Sequence, residues 1–277
     1  MAFIDEQLIR FKGMIEDAII QGGEKGKTSV IRSSALINLI HDAVKFELIN
    51  SRVFHENIYP RFGESKPEIK IAGFLKQKDQ DVCVVPNNIL RAGIDIDWGP
   101  LKVLNRRDPY GFEYTTNMLV INVRSQMSSL AKNADTLFER TFAEALNLHM
   151  RYNDIVLGEV YLIPVYEYDD ALVKEKRVGF KEHKTDVEKY ISFFNSINNR
   201  PDQNGEAYMY ERCALLIVDF SRDVPKLYRN STELKQDGVI SRDFEIEYKN
   251  LNFDGFAEDI LNVYSRRYNI SNIKQSE

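Results

Sequence analysis

Residues 118–165 constrain the fold more than any other part of the chain. MLVINVRSQ is an apolar run that alternates at its end. It leads into SSLAKNADTLFERTFAEALNLHMRY, where Leu130, Ala134, Leu137, Phe138, Thr141, Ala145 and Leu148 recur at helical spacing. IVLGEVYLIPV follows as a second, longer apolar run. Side chains alternate along a strand and return every 3.6 residues along a helix, so this block reads as strand, amphipathic helix, buried strand.

The flanking segments extend the pattern. Ile4, Leu8, Phe11, Ile15 and Ile19 predict one helix, and Leu36, Ile40, Ala43, Val44 and Leu48 a second, with GGEKGKTS as a solvated loop between them. IKIAGFL and DVCVV read as short strands joined by the charged turn KQKDQ, a hairpin-like unit. TDVEKYISFFNSINN predicts a helix opened by Thr185 with Glu188 three residues on, a capping-box pattern. CALLIVDF is another buried strand, FEIEYK a charge-alternating edge strand, and FAEDILNVYSRRY a last helix. A hairpin followed by alternating helices and strands implies an α/β fold: a mixed β-sheet flanked by helices, in a single domain over residues 1–277.

Composition excludes little. Of 277 residues, 43% are hydrophobic and 29% charged, which suits a globular chain rather than a disordered one. The net charge of −5 supplies no global attraction to nucleic acid, although a local basic cleft can act within an acidic molecule. Cys83 and Cys213 sit in apolar runs, without metal-ligand spacing, and read as buried thiols in a reducing compartment. MAFIDEQLIR has acids where a secretory leader has bases, and no apolar run is long enough to span a bilayer. A cytoplasmic protein without membrane contact is expected.

Several motifs fail on context. Gly26-Lys27-Thr28 matches the end of a phosphate loop, but Gln21 stands where its first glycine belongs and a helix precedes it where a strand is required. Acid-x-lysine occurs at Glu64/Lys66, Glu68/Lys70, Glu182/Lys184, Glu233/Lys235 and Glu247/Lys249. About three such pairs arise by chance in a chain this charged, so the triplet carries no weight alone. His149 and His183 lack a second ligand at zinc spacing, and no serine sits in a nucleophile elbow. The aromatic residues of YISFF read as core.

The order of parts is more informative: helix, hairpin with Asp81 opening its second strand, the strand VINVRSQ, a long helix, then strand, helix, strand. Over about residues 30–220 this resembles the core of the PD-(D/E)XK nucleases, in particular type II restriction endonucleases. DQDVCVV places Asp79 or Asp81 where that superfamily has its first metal-binding aspartate, and Asn122 and Arg124 occupy the positions of its acid-x-lysine pair. The resemblance implies a restriction endonuclease-like core, Mg²⁺-dependent hydrolysis of double-stranded DNA, and action as a homodimer.

Two residues depart from that pattern. Asn122 offers an amide oxygen without charge, and Arg124 stabilises a phosphate but stays protonated, so it is no base. Some restriction endonucleases draw the missing acid from the helix after the catalytic strand. By that resemblance Glu139 is the expected second carboxylate, with Glu144 next. The expected set is Asp81 and Glu139 as metal ligands, Arg124 on phosphate, and Asn122 on a water or the metal. Residues 86–117 are long for a simple connection and suit a recognition insert, with Arg106 and Arg107 on DNA and Trp98, Tyr110 and Tyr114 supplying stacking or apolar contacts. Asp95 and Asp97 form a lower-ranked acidic pair. The alternatives are a surface loop for the insert, and for the chain an inactive nuclease-like module that binds nucleic acid or a partner protein.

Overall fold

The computed structural model describes residues 1–202 and 205–275. Helices α1 (Phe3–Arg32) and α2 (Ser34–Asn50) open the chain. Four short strands follow: β1 (Ile58–Tyr59), β2 (Ile69–Ala72), β3 (Gln77–Gln80) and β4 (Val82–Val84). The segment 86–117 holds β5 (Ile94–Asp95), α3 (Gly99–Val103), β6 (Arg107–Asp108) and α4 (Phe112–Thr116). The strand–helix–strand block at residues 118–165 forms β7 (Leu119–Ser125), α5 (Leu130–His149) and β8 (Val156–Pro164). The remainder supplies α6 (Asp170–Lys174), α7 (Val187–Ile197), β9 (Arg212–Asp219), β10 (Lys226–Leu227), α8 (Ser231–Gln236) and α9 (Phe256–Arg267).

Six strands make one mixed sheet in the order β1-β4-β7-β8-β9-β10. β1, β4 and β7 are antiparallel neighbours, β7, β8 and β9 run parallel, and β10 returns antiparallel. Every residue of β8 and β9 is buried, which is why both read as near-continuous apolar runs. Alternation then sorts the side chains. Leu119, Ile121 and Val123 pack with α1, α2 and α9, whereas Met118, Val120, Leu157 and Tyr161 pack with α5 and α7. The result is one mixed α/β domain with helices on both faces. No helix among the described residues is long and apolar enough to cross a membrane.

Four local expectations change. GGEKGKTS is not a loop: α1 continues through it with a sharp kink at Gly23 (φ 57°, ψ −136°), a conformation that only glycine adopts without strain. Lys27 is buried there and pairs with Asp170 at 2.9 Å, so it is no phosphate ligand. The hairpin is shifted, because the supposed turn KQKDQ supplies β3 itself, paired with β2, and the turn lies at Gly73–Lys76. The chain leaves this two-stranded ribbon at Asp81 and enters the main sheet as β4. Helix α7 is capped by Asp186, whose side chain accepts from the Lys189 amide, while Thr185 donates to the Pro164 carbonyl and Glu188 accepts from Ser241. FEIEYK forms no strand; Tyr248 is buried, with its amide bound to Ser231 and its hydroxyl to the Leu215 carbonyl, which pulls the segment inward.

Candidate functional site

The sheet register builds the site. Val82 pairs with Ile121, so the preceding residue, Asp81, stands opposite Asn122. Asn122 in turn pairs with Glu159 on β8. Asp81, Asn122 and Glu159 therefore form one row across three strands, on the face covered by α5. Arg124 lies two residues along β7 on that same face. Its Nε stands 3.0 Å from Glu159 Oε1.

The ribbon and α5 complete the surround. Asn147 on α5 accepts from the amides of Leu75 and Lys76, at 2.8 and 3.2 Å, which docks the ribbon turn onto the helix. Gly73 is required for that approach, since a Cβ there would lie 2.2 Å from the Asn147 amide nitrogen. Docking carries Lys76 and Lys78 to Glu144, with Nζ to carboxylate distances of 3.3 and 2.9 Å. Arg124 Nη2 lies 4.0 Å from the same carboxylate.

Glu159 is the anomaly of this cluster. Its side chain is 0% exposed, and the Arg124 contact is an ion pair off the line of the N–H, so neither carboxylate oxygen accepts a hydrogen bond from the described residues. Asn122 Oδ1 beside it is also buried, with no donor among the described residues. Burial pushes the Glu159 carboxyl up to about 7; Arg124 and Lys78 oppose the shift, and Asp81 and Glu144 add to it. Burial also works to raise Glu144, but Lys78, Arg124 and Lys76 outweigh it and hold that carboxyl below its ordinary value. Burial works to depress Arg124, yet Glu159 and the other acids keep it firmly protonated.

A bare buried carboxylate costs several kcal/mol unless its oxygens are satisfied. Asp81, Glu159 and the Asn122 amide oxygen offer that satisfaction to a cation. No three acid, histidine or cysteine side chains among the described residues stand close enough to form a closed cage. Two carboxylates and an amide oxygen are oxygen donors of the kind that hard cations accept.

The expected site residues divide accordingly. Asp81, Asn122, Arg124 and Glu144 come together; the Asp81 carboxylate also accepts from the Val123 amide at 2.9 Å. Glu139 does not join them. Five residues before Glu144, it lies about 140° around the helix and is exposed. Asp79 is exposed and paired with Lys70 at 3.5 Å. Asp95 and Asp97 are exposed in the insert, where Asp95 stands 3.8 Å from Arg107. Arg106 and Arg107 are exposed on the same short ribbon, but Tyr110 is half-buried, stacked on Tyr114 and overlaid by Arg91. Trp98 is tied down by Phe74 and Arg151.

Glu159 is absent from the set expected by resemblance, yet the sequence does carry a signal for it. It is the one charge inside the eleven-residue run IVLGEVYLIPV. Glutamate is almost never fully buried without a partner, and perturbed acids gather at functional sites. No family model, no curated protein and no solved structure matches this chain.

Proposed function

We propose that this chain is a Mg²⁺-dependent, site-specific endodeoxyribonuclease of the restriction type, which hydrolyses phosphodiester bonds of double-stranded DNA as a cytoplasmic homodimer. One observation carries the reading: Asp81, Asn122 and Glu159 share a row, Arg124 flanks it, and three acceptor oxygens in that row find no donor among the described residues. Asp81 and Glu159 would hold the ion, with help from the Asn122 amide oxygen. When bound, Mg²⁺ polarises the phosphate and lowers the pKa of the attacking water. Arg124, permanently charged, steadies the negative charge that develops on phosphate. Lys78 adds positive charge from the ribbon, and Glu144 positions both cations. Arg106 and Arg107, both exposed, are the insert's candidates for phosphate or base edges, although Arg107 also donates to the Gly93 carbonyl and stands 3.8 Å from Asp95, with Tyr110 bracing the insert from within.

A second reading has its own support. The Arg124–Glu159 pair and the two lysines on Glu144 already balance much of the cluster's charge. That arrangement suits a module that binds nucleic acid without cutting it. Plasmid or phage DNA incubated with the protein, with and without Mg²⁺, separates the two. Discrete metal-dependent fragments are expected; DNA shifted in mobility but intact would establish the binding module instead.

A further inference from the structure

The end of α3, inside the insert, presents an apolar pair to solvent. Along KVLNRR, residues 102–107, six consecutive residues are exposed, two of them apolar, three cationic and none acidic. Val103 is 82% exposed and Leu104 59%, whereas Leu101 on the same short helix is buried with Ala72 and Ile96. A lone exposed leucine is ordinary, but these two side chains are adjacent and flanked by charge of one sign. The turn that carries them is closed. The Leu104 amide donates to the Pro100 carbonyl at 3.2 Å, Asn105 to Lys102 at 2.9 Å and Arg106 to Leu101 at 3.0 Å. Asn105 takes the left-handed conformation (φ 50°), which asparagine visits more readily than most residues.

This turn is fastened to the ribbon that serves the candidate site. Leu101 packs on Ala72 of β2, and the Gln77 side chain of β3 donates to the Arg107 carbonyl at 2.9 Å. Arg151 ties the Gly73 and Trp98 carbonyls together at 3.0 and 3.4 Å. Lys78, the next residue of β3, reaches Glu144. The apolar tip and the site's lysines therefore ride on one ribbon. Charge selects the occupant. Lys102, Arg106 and Arg107 suit a polyanion, even with Arg107 drawn partly toward Asp95. A second copy docked about a two-fold axis would set these cations against their own counterparts. A duplex offers its apolar surface chiefly between stacked base pairs. Resting on the nuclease reading, we propose that Val103 and Leu104 form a wedge that enters a base step of the bound duplex, with Lys102 and Arg106 on flanking phosphates. Such a wedge unstacks the step and kinks the duplex, and a preformed turn lowers the cost of ordering it.

The test compares wild type with the double variant Val103→Ser, Leu104→Ser on plasmid DNA, with Ca²⁺ replacing Mg²⁺ so that binding is read without cleavage. Permanganate and diethyl pyrocarbonate, which attack unstacked thymines and purines, report the state of the stack. Wild type should make bases within its footprint hyper-reactive. The variant should melt as wild type does, lose those reactive bases and bind about tenfold more weakly, with unchanged salt dependence because no cation is removed. Wild type that binds with every base stacked, or a variant that binds within about twofold of wild type, overturns the wedge. A variant that fails to fold makes the pair structural and overturns it too. So does a variant that keeps its DNA affinity but loses a wild-type dimer in sedimentation, or binding to phosphatidylserine vesicles, since the patch then serves a second copy or a membrane. Wild type that cuts DNA while leaving it stacked removes the wedge alone, whereas wild type that neither binds nor cuts DNA sinks the nuclease reading itself.

Discussion

Two buried glutamates of this molecule are treated in opposite ways. Glu211, just ahead of β9, accepts from the Leu157 amide at 2.7 Å, from Arg267 at 2.9 Å and from Arg200 at 3.2 Å, and His149 Nε2 stands 3.5 Å away. Burial works to raise its carboxyl, but His149, Arg267 and the Leu157 amide win and hold it below its ordinary value. Glu159, two residues beyond Leu157 on β8, has one oblique arginine and accepts no hydrogen bond from the described residues. Glu211 ties β8, α9 and the end of α5 together. Glu159 ties nothing together, and burial drives its carboxyl up to about 7. The same side chain at the same depth thus serves as a clamp in one place and as an unmet demand in the other. An unmet demand of that kind costs stability, and function is the usual reason a fold retains one.

The contrast breaks most visibly at Glu159. Glu159→Gln keeps the shape and removes the charge, so Mg²⁺-dependent cleavage should fall on the order of 1,000-fold, measured on plasmid DNA. The same variant should be the more stable protein at neutral pH. The folded pKa of Glu159, about 7, lies above the ordinary 4.5, so between those values the folded state retains a proton that the unfolded chain has lost. Stability from this group is full below about pH 4.5 and drains as pH rises to about 7, by roughly 3 kcal/mol. Chemical denaturation across that range should show the decline in wild type and its absence in Glu159→Gln. An identical slope in both proteins would remove Glu159 from the account.

Glu211→Ala should do the reverse, lowering stability by about 3–5 kcal/mol because Arg200 and Arg267 are left buried beside an empty place. Its folded pKa is depressed, so this contribution exists above pH 4.5 and disappears as pH falls through the folded value. The deficit of the variant should shrink in acid, as thermal melts at two pH values would reveal. Smaller effects separate the two faces of α5. Glu144→Gln frees Lys78 and Arg124 from their shared anchor and should slow cleavage about tenfold. Glu139→Gln, on the solvent face, should change stability by less than about 0.5 kcal/mol and leave cleavage as it was.

Much of this architecture is legible in the sequence. Leu130, Ala134 and Leu148 predict α5 because a helix that covers a sheet must bury one stripe, and all three are buried. The runs that form β7, β8 and β9 are plain for the same reason. Asp81 and Arg124 stand out because each sits at the edge or the end of a readable strand. The ribbon is not legible, since KQKDQ has the composition of a turn and becomes β3 only by pairing with β2. The kink at Gly23 is equally hidden, because helical periodicity on both sides of a break looks the same whether the break is a loop or a bend. FEIEYK shows the converse error, as its alternation lacks a neighbouring strand and Tyr248 finds Leu215 instead.

The sequence alone determined the long apolar strands β7, β8 and β9, the helix α5 and the stripes they turn inward, because burial pattern is a local property of hydrophobic spacing. The tertiary structure alone decided which charges meet. That Glu159 lies across from Asn122, that Glu144 rather than Glu139 faces Arg124, and that Lys78 swings in on a bent ribbon all depend on strand register and helix rotation. A shift of one residue in register, or five along a helix, reverses the partner, and no local pattern encodes that choice.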